Sequence, residues 1–121
     1  MRNLEALRQR YLQSSPMDRL GGLAANLARV ASFSDHPGHE QAVKALVEES
    51  KFLIEWIAAD MDLETLEKLA DMQRQLAIWY RRWPAMWADE AARSSLRDQA
   101  GRWAEEMLQI ALRRYGQCAS S

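Results

Sequence analysis

The chain has 121 residues, 48% of them hydrophobic, and a net charge of −1. It is long enough for one compact domain and too apolar for wholesale disorder, and it has no global field to draw it to nucleic acid. A single cysteine, Cys118, excludes a disulfide framework within the chain.

The first expected helix covers about Asn3 to Gln13. The segment "MRNLEALRQRYL" is amphipathic and charged throughout, without the continuous apolar stretch of a signal peptide. No run approaches the length of a membrane-spanning helix, and the expected setting is soluble and cytoplasmic. "SSPMD" then marks a helix start. Ser15 suits the N-cap, Pro16 the first helical position and Asp18 the first turn. The second helix runs to about Phe33, with an apolar stripe of Leu20, Leu23, Ala24, Leu27, Val30 and Ala31. Gly21 and Gly22 weaken it and would permit a close helix crossing, with local strain or fraying as the alternative.

"SDHPGHE" breaks the chain before a third helix from about Gly38 to Ala59. One face of this helix carries Val43, Leu46, Val47, Ser50, Leu53, Ile54, Ile57 and Ala58. Phe52 and Trp56 lie nearly opposite. A helix with two apolar faces has two partners. The second partner is either the N-terminal helix or another subunit.

Asp62 is the expected N-cap of a fourth helix, Leu63 to Trp83, which Pro84 interrupts. Leu63, Leu66, Leu69, Ala70, Met72, Leu76, Ala77, Trp79, Tyr80 and Trp83 fall on one broad side of it. A fifth helix is expected from Ala88 to Tyr115, with Gly116 as its C-cap and residues 117–121 as a flexible tail. The single domain would thus be 1–116. Acidic residues open the last two helices and arginines close them, which complements the helix dipole. The expected fold is all-α: an antiparallel four-helix bundle with an extra short N-terminal helix. Leu27, Leu46, Leu53, Leu76, Trp103 and Met107 are its expected core.

Thirteen arginines stand against three lysines. Arg81 and Arg82 sit among Trp79, Trp83 and Trp87, and two readings compete for that cluster. In the first, the three indoles plug the end of the bundle. In the second, the exposed edge of Trp83 and Trp87, with the two arginines, forms a binding surface. Asp89 and Glu90 follow closely, so nucleic acid is not expected there.

His36, His39 and Glu40 have ligand chemistry but no motif spacing, and their place at a helix start explains them; no metal is expected. Neither histidine follows a glutamate by three residues, as a di-iron bundle site requires. No G-x-S-x-G, Gly-rich phosphate loop, H-E-x-x-H or C-x-x-C is present. No catalytic residue and no cofactor are expected.

The runs "LRQRYLQSSPMDRLGGLAANLARVASFS" and "EESKFLIEWIAAD" resemble small uncharacterised all-helical proteins of cyanobacterial type. The resemblance implies a helical bundle and carries no function with it. The expected role is a non-catalytic protein–protein interaction module that self-associates, with Phe52, Trp56, Arg81, Arg82, Trp83 and Trp87 as the candidate surface. The alternative is a binder of a hydrophobic ligand or pigment, or an enzyme, with a pocket near the tryptophans.

Overall fold

A computed structural model describes residues 4–113, and every described regular element is helical. The order is α1 (Leu4–Leu12), α2 (Pro16–Phe33), a 3-10 turn (Pro37–His39), α3 (Glu40–Ala58), α4 (Leu63–Arg81), α5 (Trp83–Ala88) and α6 (Glu90–Ala111). The expected C-cap at Gly116, the tail and Cys118 lie outside the described residues.

The helix starts follow from capping chemistry. The Ser15 hydroxyl accepts from the Asp18 amide at 3.1 Å, with Pro16 in the first turn of α2. The Asp89 carboxylate accepts from the Ala91 amide at 3.1 Å and opens α6. At α4 the Asp62 carboxylate accepts instead from the Thr65 hydroxyl, at 2.7 Å.

The end of α4 departs from expectation. The helix stops at Arg81, not Trp83, and the chain restarts at once as α5. Proline lacks an amide donor, which only a first-turn position tolerates. Pro84 takes that position, so the break becomes a short helix in place of a loop.

The central helix is α2, packed between α3 and α6, and α4 packs along α3. Leu20, Leu23, Leu27 and Val30 of α2 meet Val43, Val47 and Ile57 of α3 and Leu96, Ala100 and Met107 of α6 in one core. Leu27, Leu53, Leu76, Trp103 and Met107 are buried as expected. Leu46 is only half-buried, packing against the core from its edge. Asn26, which the apolar pattern does not mark, is buried and donates to the Ser50 hydroxyl at 3.4 Å, so one polar pair joins α2 to α3.

The outer side of α4 also differs. Leu63, Ala70 and Ala77 are exposed, because the helix buries the side carrying Thr65, Leu69, Met72, Leu76 and Trp79. No close crossing occurs at Gly21: a methyl group placed there would meet nothing within 4 Å. At Gly22 it would touch only the Tyr11 ring, at 3.5 Å.

Candidate interaction surfaces

Phe52 and Trp56 stand one turn apart on α3 and stack, with ring centroids 6.0 Å apart and planes at 27°. Trp56 has a cover within the chain. The Tyr11 ring of α1 lies 5.9 Å from it, tilted by 55°. The Tyr11 hydroxyl donates to the Arg19 carbonyl at 2.6 Å. Arg19 in turn donates to the carbonyls of Leu12, at 2.8 Å, and Ser14, at 3.0 Å, and pairs with Asp60. Of the two partners weighed for this face, α1 takes the Trp56 half. Burial pushes the Tyr11 phenol well above its ordinary pKa, against the pull of the nearby Arg19 charge.

Phe52 remains half-buried at a groove of about 280 Å³ that it shares with Glu48, Lys51, Glu55 and Tyr80. The Tyr80 hydroxyl donates to Glu48 at 2.9 Å, and the Lys51 and Lys44 ammonium groups lie 4.9 and 5.4 Å from its ring centre. The hydrogen bond to Glu48 raises the Tyr80 pKa, helped by burial and the carboxylate's charge. The groove's lining thus carries two carboxylates and one ammonium group, with Lys44 beside the Tyr80 ring.

Trp83 and Trp87 lie inside. They are 1% and 4% exposed, and their rings stack at 5.6 Å with planes at 12°. The Trp87 indole donates to the Pro37 carbonyl at 3.0 Å and so ties α5 to the 3-10 turn. The Arg93 guanidinium lies 5.5 Å from the Trp87 ring centre and donates to the Trp87 carbonyl at 2.8 Å. Trp83 Nε1 has no protein partner. Trp79 meets Trp103 of α6 at 5.5 Å. The indoles therefore pack as a plug, and the exposed edge expected of Trp83 and Trp87 is not there. Both rings belong to α5, whose buried residues are Trp83, Met86 and Trp87.

Arg81 and Arg82 stay exposed at the end of α4. Arg82 borders an open groove of about 380 Å³ whose apolar lining includes Ile78, Trp79, Ala85 and Met86. A second apolar groove of about 430 Å³ runs between α2 and α6, past Gly21, Ala25, Gly101 and Leu108. The first groove also carries Gln75, Asp89 and Ser95 in its lining, and the second Glu105.

The histidines serve the turn before α3. His36 Nδ1 accepts from the Gly38 amide at 3.0 Å, and His39 Nδ1 lies 3.1 Å from the Phe33 carbonyl. Among the described residues, no group of three or more His, Cys, Asp or Glu is placed to hold a metal ion. Nor is any described helix long and apolar enough to cross a membrane. No protein family, curated protein or solved structure matches this chain, so the resemblance to cyanobacterial helical proteins lends no function to these surfaces.

Proposed function

We propose that this protein is a non-catalytic helical interaction module that self-associates, its four long helices forming an antiparallel bundle with α1 strapped outside. One observation carries this reading. Trp79, Trp83, Trp87 and Trp103 are buried, yet α4, packed along one side only, leaves Leu63 72% and Ile78 43% exposed at its two ends. Large aliphatic side chains at both ends of a half-covered helix suit a protein partner. Sedimentation of the wild-type protein over a wide concentration range tests it. A mass that rises with concentration supports self-association, and a monomer throughout removes it.

A second reading rests on the groove beside Arg82. Arg82 has no ionic partner among the described residues, and although Asp89 shares the groove its carboxylate caps α6, so a cation at the rim of an apolar surface fits a hydrophobic anion. A naphthalene sulfonate dye tests this directly. Binding to the native protein that Arg82→Ala abolishes supports a ligand site, and equal binding to both proteins rejects it.

A further inference from the structure

The outer face of α4 has a polarity of its own. Exposed along it, in order, stand Leu63, Glu64, Glu67, Ala70, Asp71, Arg74, Ala77, Ile78 and Arg81, with Arg82 at the cap. At 100° per residue these fall within one arc, opposite the buried side. The first half is acidic and the second half basic. Asp71 and Arg74, at the middle, pair with each other at 3.3 Å. Glu64, Glu67, Arg81 and Arg82 have no ionic partner among the described residues.

A helix face that is acidic at one end and basic at the other is complementary to itself when a second copy runs antiparallel. We infer that two copies of this chain pair through α4, laid antiparallel about a two-fold axis near Gln73 and Arg74. Such an interface is closed and uses the same patch on both subunits. In this register Ala70 of one copy lies level with Ala77 of the other, and their small side chains let the helices approach. Glu67 lies within one residue of Arg81 of the second copy, and Glu64 within one residue of Arg82. Leu63 lies level with Pro84, near the exposed Ala85. Near the axis each Arg74 is already neutralised by its own Asp71, so the two guanidinium groups can approach. The occupant is thus a second copy of α4, because its basic end offers Arg81 and Arg82 to Glu67 and Glu64, and its acidic end offers the reverse.

This inference rests on the self-association reading and narrows it to one surface. The rival account of the same charges is purely local: acids at the start and bases at the end of a helix complement its dipole. Charge exchange separates the two. Glu67→Arg and Arg81→Glu are made singly and together, with helix content followed by circular dichroism and association by sedimentation.

If α4 pairs antiparallel, either single variant weakens the dimer by about tenfold or more, since the two-fold axis repeats each like-charge contact. The double variant restores it to within a few-fold. Raised salt weakens the wild-type dimer. A wild-type monomer at every concentration would overturn both this proposal and self-association itself. A wild-type dimer indifferent to all three variants, yet broken by Leu108→Glu, would overturn the α4 interface alone and move it to the groove between α2 and α6. A double variant weaker than either single one would likewise overturn the antiparallel pairing.

Discussion

Tyr11 closes over Trp56: its ring covers the indole at 5.9 Å while its hydroxyl reaches the Arg19 carbonyl at 2.6 Å. This side chain thereby links α1, which has no buried residue, to both α2 and α3, beside the bonds that Arg19 makes to its C-terminal end. Tyr11→Phe keeps the ring and loses the hydrogen bond, which should cost about 0.5–1.5 kcal/mol. Tyr11→Ala loses the cover as well and should cost about 1–3 kcal/mol, mostly through exposed apolar area. Equal losses for the two variants in urea melts would show that the ring contact contributes nothing.

The same phenol gives a pH dependence. Burial raises its pKa in the fold, whereas the unfolded chain ionises near the ordinary value of about 10. Its contribution is therefore fully present below about pH 10. Above that, the unfolded state sheds its proton while the folded state keeps it, and stability falls until the folded phenol ionises too. The expected result is a shallower alkaline loss of stability in Tyr11→Phe than in wild type, with no difference between their slopes at neutral pH. Parallel slopes above pH 10 would remove Tyr11 as the cause.

Gly21→Ala should stabilise the protein. A mid-helix glycine costs roughly 0.5–1 kcal/mol relative to alanine. Here a methyl group meets nothing within 4 Å, and the backbone is in ordinary helical geometry. A thermal midpoint that falls in this variant would mean that the groove beside Gly21 is filled in solution.

Leu76 is fully buried on the inner side of α4. Leu76→Ala should cost about 2–5 kcal/mol in denaturant melts. A loss below about 1 kcal/mol would contradict the packing of α4 on the core.

The stacked indoles should respond unequally. Trp87→Phe removes a hydrogen bond to the Pro37 carbonyl, whereas Trp83→Phe removes a buried donor that has no protein partner. The Trp87 variant should be less stable than the Trp83 variant by about 1 kcal/mol. The reverse order would imply that the Trp83 indole has a partner in solution, such as a buried water.

The helical class and most of the breaks were legible because they rest on local chemistry. Ser15, Pro16 and Asp89 act through atoms a few residues away. The buried stripes of α2 and α3 were legible for the same reason, since periodicity marks a face without reference to a partner. What a pattern does not contain is how many neighbours a helix has. Leu63, Ala70 and Ala77 read as core because they are apolar, yet they lie opposite the buried stripe and α4 has cover on one side only. Trp83 and Trp87 depended on how the chain leaves Pro84. A restart in helix turns both rings inward, and no periodicity crosses that corner. Arg19 was invisible as an organiser because its partners, Leu12, Ser14 and Asp60, are two carbonyls and a residue 41 positions away.

That arginine has a consequence for the order in which the molecule comes apart. Its ion pair with Asp60 ties the end of α1 to the corner after α3, and the Trp56 ring that Tyr11 covers belongs to α3, so full docking of α1 needs α3 and that corner in place. Docking of α1 is then a late event in folding and its release an early one in unfolding, with the remaining helices intact. Amide protons of residues 4–12 should exchange through this small opening, far faster than those of α2, whose protection reports the loss of the whole core.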